Sequence, residues 1–212
     1  MPEPFELVVF DLDGVLADTS RCHADAWAQV FSELGRPAPP SESLAGMRTL
    51  DVIVEHGALP AARAGEWVAR KQRLARRLLA QNDVLFPDAA PAVRALAASG
   101  LRLAVGTGAS RETAEIVLAR LGLAEALEVV VTASEVRRGK PDPEVYARVW
   151  TLTGVPPERA LVAEDSGAGV ASALAAGADV ATIRPGFPVA HPRFFGAFTD
   201  LAALAARLGC RP

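Results

Sequence analysis

Leu7-Val8-Val9-Phe10-Asp11-Leu12-Asp13-Gly14 is the stretch on which the fold turns. Four apolar residues in a row read as a short buried strand. The strand runs directly into two carboxylates. Desolvated charge is costly without a partner, and the simplest partner for two acids is a cation. In open α/β sheets ligands gather at the carboxyl ends of strands, where Asp11 and Asp13 would sit. Gly14 lets the backbone turn sharply away without a Cβ penalty.

Downstream of residue 88 the pattern alternates. A helix opens at Asp88 and closes at Gly100, and Leu101–Val105 reads as a strand. A helix from Ser110 to Leu121, a strand from Glu128 to Thr132 and a helix from Pro143 to Thr153 follow. A strand at Leu161–Ala163 leads into a helix ending near Gly177. Asp179–Ile183 is a strand and Thr199–Leu208 a last helix. Such alternation implies a parallel sheet with helices on both faces, and the strand at 7–10 belongs to it.

Residues 17–87 read differently, as helix without a convincing strand. Thr19 or Ser20 can cap a helix to about Leu34, a second starts at Thr49 and closes at Gly57, and a third runs from Pro60 to Gln81. The expected fold is therefore α/β. A Rossmann-like parallel-sheet core of residues 1–16 and 88–212 carries an all-α cap, residues 17–87, inserted after the first strand and hanging over its carboxyl end.

Composition bounds the function. Of the 212 residues half are hydrophobic and 22% charged, enough for a real core. Aromatics are only 6%, so alanine, leucine and valine must do most of the packing. A net charge of −3 and a pI near 5.7 argue against a nucleic-acid partner. Cys22 and Cys210 lie near opposite ends and indicate no disulfide framework, which makes the cytosol the default compartment. Glu3 and Glu6 stand where a signal peptide would be basic, and no apolar run is long enough for a membrane span.

Three further segments carry chemistry. Leu103-Ala-Val-Gly-Thr107-Gly108-Ala-Ser110 ends a strand in a hydroxyl and a small-residue turn, able to hold phosphate oxygens. Arg138-Gly-Lys140-Pro141-Asp142-Pro143 presents one lysine from a stiff loop. Leu161-Val-Ala-Glu164-Asp165-Ser166-Gly167-Ala-Gly169 ends a second apolar strand in two acids. Four carboxylates at one sheet edge repel unless a cation sits among them, and an oxygen-only donor set suits Mg²⁺. The Gly167-x-Gly169 spacing also resembles a dinucleotide fingerprint, but Glu164 and Asp165 would then face a pyrophosphate without a counter-charge.

Taken in order, these four segments resemble the motifs of the haloacid dehalogenase-like hydrolases, over residues 5 to about 185. The helical insert is similar to that of their phosphoglycolate-phosphatase and β-phosphoglucomutase branch. The resemblance implies a Mg²⁺-dependent phosphatase working through an aspartyl phosphate on a small phosphorylated metabolite, a sugar or polyol phosphate. Asp11 would be the nucleophile and Asp13 the acid/base, with Thr107 and Lys140 holding the transferring oxygens. Asp11, Asp13 through its carbonyl, Glu164 and Asp165 would hold the metal, and Gly108 would lie against the phosphoryl group. The superfamily's dehalogenases generally lack the second aspartate, so Asp13-Gly14 favours phosphate chemistry.

The insert offers three candidate substrate residues. Trp67, Lys71, Leu74 and Leu78 share one helical stripe, so Lys71 points to the core or the cleft. His23 lies on the apolar stripe of the first cap helix, one turn before Trp27. In phosphoglucomutase-like relatives, a histidine here couples cap closure to the acid/base aspartate. Gly46-Met47-Arg48-Thr49-x-Asp51 resembles the sugar-phosphate phosphatases, with Arg48 placed to grip an anionic or hydroxylated substrate. A phosphosugar mutase using the same intermediate, and a non-catalytic phosphate-binding module, remain the alternatives. Neither the individual substrate nor the oligomeric state is legible, and a monomer is compatible with the sequence.

Overall fold

The structure, a computed structural model, describes residues 5–44, 47–184 and 187–210. In chain order its elements begin with β1 (Leu7–Phe10), α1 (Ser20–Glu33), α2 (Thr49–Glu55) and α3 (Ala61–Gln81). Next come α4 (Ala89–Ala98), β2 (Arg102–Gly106), α5 (Arg111–Leu121), β3 (Val129–Val131) and α6 (Glu144–Thr153). The chain ends with β4 (Ala160–Glu164), α7 (Gly167–Ala175), β5 (Asp179–Ile183), β6 (Phe194–Phe198) and α8 (Leu201–Arg207). All six strands are parallel, in the order β3-β2-β1-β4-β5-β6. This is the expected Rossmann-like α/β architecture.

The strand order places the site. From β1 the chain moves to β2 on one side and later to β4 on the other, so β1 borders the point where the winding reverses, the usual ligand crevice. Phe10 is level with Val105 of β2 and Ala163 of β4. One residue further on, Asp11, Gly106 and Glu164 therefore emerge side by side.

Alternation along β1 divides the core between the two faces. Val8 and Phe10 pack with Val93 and Leu96 of α4, Val117 of α5 and Leu204 of α8. Leu7 and Val9 pack with Val145, Tyr146 and Val149 of α6 and Val170 of α7. Helices α1–α3 share a third cluster, built from Trp27, Val30, Phe31, Val52, Ile53, Leu74 and Ala75. Burying each of the larger of these side chains contributes roughly 1.5–3 kcal/mol, so the three helices have an apolar reason to stay together. Among the described residues, no helix is long and apolar enough to cross a membrane.

The sequence reading departs from the structure at four places. β6 was not expected. Its Phe194, Phe195 and Phe198 are strand formers, but they sit between Pro192 and Thr199 with Gly196 among them, too short a run to stand out. Asp88 precedes α4 yet does not cap it. Its Oδ2 accepts instead from Arg184 Nη2 at 2.6 Å and from the Leu201 amide at 2.9 Å, tying α4 to α8. Thr19 precedes α1, but its hydroxyl goes to Asp13 rather than to a helix amide. Residues 17–87 are not wholly free of strand pairing, because Ala17 bridges Leu85 where the helical segment leaves and rejoins the sheet. Gly46, quoted above with Arg48, lies outside the described residues.

Candidate active site

Asp11 continues the ladder beyond β1. Its amide donates to Ala163 O at 3.0 Å, which fixes the side chain at the sheet edge, 3% exposed. The chain then turns tightly, with Gly14 N donating to Ala17 O at 2.8 Å and Gly14 at φ +78°. A Cβ on Gly14 would fall on the Asp165 carboxylate. Glycine is needed here twice over, for the turn and for the acid beside it. Gly14→Ala is expected to displace Asp165 and to lower turnover at least about 100-fold, with a backbone cost of roughly 1–2 kcal/mol. Steady-state rates and a thermal melt on the same sample check both parts.

Lys140 supplies the positive charge. Its Nζ donates to Asp11 Oδ1 at 2.7 Å, to Glu164 Oε1 at 2.6 Å and to Gly106 O at 3.1 Å, using all three protons. Glu164 is fully buried and accepts five hydrogen bonds. Besides Lys140, they come from the Tyr146 hydroxyl at 2.6 Å, the Asp165 and Ser166 amides and the Ser166 hydroxyl. A Cβ on Gly169 would collide with this carboxylate. The glycine that imitates a dinucleotide fingerprint is thus there to make room for Glu164.

Carboxylate oxygens of Asp11, Glu164 and Asp165 lie within 4.8 Å of one another. Burial, more than any other influence, pushes Asp11 up to about 7, with Lys140 opposing and Glu164 and Asp13 adding to the rise. Burial and then the Asp11 charge push Asp165 up to about 8. Burial would lower Lys140, but Asp11 and Glu164 hold it well above the usual lysine range. One lysine therefore does not balance this acid cluster, and an added cation would.

Asp13 is the exception. Burial would raise it, but His23, Thr19 and Lys71 outweigh burial and bring it to about 2. Thr19 Oγ1 donates to its Oδ1 at 2.6 Å, and His23 Nε2 stands 3.6 Å from the same oxygen. On the far side of the ring, Lys71 Nζ is 2.6 Å from His23 Nδ1 and 4.7 Å above the centre of the Trp27 ring. A protonated Lys71 makes Nδ1 the acceptor, which leaves the ring proton on Nε2, facing Asp13. Lys71 is 4% exposed, and burial lowers it to about 8 although the Asp13 charge resists.

These groups border a cavity of about 560 Å³. Asp11, Asp13 and Asp165 lie on the sheet side, Gly108 and Ser110 on the turn after β2, and His23, Trp27, Met47, Lys71 and Gln72 on the helical side. Gly108, His23 and Lys71 thus line the same cavity as Asp11, Asp13 and Asp165. Thr107 is fully buried and is not among the lining residues; its Oγ1 accepts from the Ala109 amide at 3.0 Å, and its hydroxyl proton stays available. Arg48 does not line the cavity. Its guanidinium is held by Asp51 at 2.8 and 2.7 Å and by Val136 O at 3.0 Å.

Tyr146 and Thr19 were missed as site residues. Tyr146 is the one tyrosine of the chain and sits on the apolar stripe of α6 with Val145 and Val149. A buried tyrosine needs a partner for its hydroxyl, and that signal was legible, though not which acid it would meet.

The family model for haloacid dehalogenase-like hydrolases matches residues 5–177. The validoxylamine A 7'-phosphate phosphatase of Streptomyces hygroscopicus subsp. limoneus is 31% identical over 82% of this chain and 83% of its own. A phosphorylated carbohydrates phosphatase of Thermotoga maritima is 32% identical over 81% of this chain and 82% of its own. Among solved structures, CbbY from Rhodobacter sphaeroides, crystallised with phosphate, superposes with a TM-score of 0.77 at 28% identity, over 94% of this chain and 96% of that one.

Proposed function

Because the chain belongs to the haloacid dehalogenase-like hydrolase family, we propose that it is a phosphatase that hydrolyses a phosphomonoester of a sugar or polyol through a phosphorylated Asp11. The observation that carries this reading is Asp11 itself, placed at the cavity with Lys140 on one oxygen and Asp165 and Asp13 beside it. Asp11 attacks phosphorus and displaces the sugar oxygen. The Gly108 turn, with Thr107 buried behind it, is placed to hold the transferring oxygens in line, while Lys140 neutralises Asp11 from the protein side and can trade one of its present acceptors for a phosphate oxygen. Asp13 protonates the leaving oxygen. An arriving phosphate raises, by like charge, the affinity of Asp13 for that proton, which comes from solvent or from the incoming phosphate. Once the alcohol has left, Asp13 takes a proton from a water as its oxygen attacks phosphorus, the bond to Asp11 breaks and inorganic phosphate is released. Asp11, Asp165, the Asp13 carbonyl and Glu164 would hold Mg²⁺, and the bound ion would offset the repulsion between carboxylates and phosphate. Glu164 contributes most through Lys140, since its oxygens are already engaged.

We assign residues 1–16 and 88–212 to the catalytic core and 17–87 to a cap that sets the substrate. On the cap side Trp27 and Met47 offer apolar surface, and Ser43, Thr49 and Gln72 offer hydrogen bonds. That mixture suits the ring and hydroxyls of a sugar or polyol. Steady phosphate release from such substrates, without a bisphosphate activator, supports the phosphatase. Dependence on an activator would favour the mutase. No release from any metabolite phosphate with Mg²⁺ present would remove the reading.

Lys71 is the cap cation we place on the substrate. Lys71→Ala is expected to lower kcat/KM for a sugar phosphate by about 10- to 100-fold, the worth of a hydrogen bond to a charged group, and to affect an aryl phosphate less. Its charge is lost above about pH 8, so use of the sugar phosphate should fall as pH rises through 8, and this limb should vanish in the variant. Because the folded value lies below that of an unfolded lysine, the same group makes the protein more stable as pH rises from about 8 toward the ordinary lysine value. Equal losses on both substrates would take Lys71 out of substrate binding.

A further inference from the structure

We propose that Arg48 and Asp51 are a strut between the cap and the loop that carries Lys140, positioning that lysine rather than gripping substrate. The proposal rests on the reading of Lys140 given above. Asp51 closes a two-pronged bond on Nε and Nη2 of Arg48, at 2.8 and 2.7 Å. The remaining prong, Nη1, reaches across to the Val136 carbonyl at 3.0 Å. A guanidinium bound in this way presents little net charge to an anion, and it is fixed in direction.

Gly139 shows how closely the pair is seated. A Cβ at Gly139 would lie 2.5 Å from Arg48 Cγ and 2.9 Å from Asp51 Oδ2. Gly139 is not among the residues with positive φ, so its backbone does not require glycine. The strut does, by lying where a side chain would be. On its other flank the loop is tied to α6, with the Arg137 and Arg138 amides each donating to Glu144 at 2.9 Å. Lys140 follows directly and extends to Asp11 at 2.7 Å. The seat of the cap and the placement of Lys140 are thereby coupled.

The test is a double-mutant cycle with Arg48→Ala, Asp51→Ala and the pair together, plus Arg48→Lys and Gly139→Ala. A strut predicts that each alanine variant lowers kcat about tenfold with a smaller change in KM. The double variant should be no worse than either single one. Arg48→Lys should not rescue, because lysine cannot span the two-pronged bond. Gly139→Ala should reproduce the loss with Arg48 still present. Hydrogen exchange in the peptide spanning 136–142 should speed up in Arg48→Ala and in Gly139→Ala.

A rise in KM at unchanged kcat for Arg48→Ala, with Asp51→Ala neutral or tighter-binding, would overturn the strut and return Arg48 to the substrate. Additive losses, or unchanged exchange, would also overturn it. If the wild-type protein releases no phosphate, the phosphatase reading fails, and the exchange measurement still decides the strut.

Discussion

Asp11→Asn is expected to lower turnover by about 10⁴- to 10⁶-fold, the range seen when a nucleophile acting with its partners is removed. The amide has nearly the shape of the carboxylate and can still accept from Lys140 Nζ, so the fold should persist. Burial already makes the charged form of Asp11 unfavourable, lifting it to about 7. A neutral group there removes a charge that burial opposes, so the thermal midpoint should not fall. Phosphate release and a melt on one preparation separate the two effects. Turnover retained within about tenfold would show that another group attacks phosphorus.

Lys140→Met should damage both stability and rate. Lys140 is buried between Asp11 and Glu164, and breaking a buried pair from one side typically costs about 3–5 kcal/mol. The sign of the pH dependence follows from the two shifts. Lys140 is held well above the usual lysine range, so its contribution is complete at neutral pH and is lost only as pH rises through that higher value. Asp11 is raised to about 7 even with Lys140 opposing, so at pH 5 it is protonated in either protein, whereas at pH 8 the wild type holds it ionised and the variant, lacking the lysine, resists ionising it. The penalty should therefore be larger at pH 8 than at pH 5. Adding Glu164→Gln to Lys140→Met should return part of the stability, since one buried charge goes, and none of the activity. The rate loss should reach roughly 10²- to 10³-fold or more, as for removal of a preorganised charge beside the reacting oxygens. Denaturant melts at both pH values and kcat for the three proteins check the set. A Lys140→Met protein as stable as the wild type at pH 8 would show that the lysine is not a structural counter-ion.

Much of the acid cluster was legible in the chain. Asp11, Glu164 and Asp165 each end an apolar run, and register in a parallel sheet brings the ends of adjacent strands together. Lys140 was legible only through its resemblance to a family motif, since a lone lysine in a loop has no period to betray its direction. The site on the helical side was less so. Lys71 could be placed on an inward stripe, but its 2.6 Å approach to His23 depends on how α1 and α3 pack, which spacing alone does not fix. Arg48 shows the limit most clearly. Its position before α2 suggested an anion grip, whereas Asp51, three residues on, takes the guanidinium first. The pairing was visible in the sequence as an i, i+3 arginine–aspartate spacing. β6 failed for a different reason: a short aromatic segment on an edge strand carries too little alternation to be told from a loop.

The central claim is that Asp11 carries the phosphoryl group covalently. Rapid acid quench of Asp13→Asn with an aryl phosphate, whose leaving group needs no protonation, tests it most directly. The account predicts a burst of one aryl alcohol per protein chain and a phosphoryl group recovered on the peptide containing Asp11. Turnover without a burst, or a phosphoryl group recovered on any other residue, would contradict it.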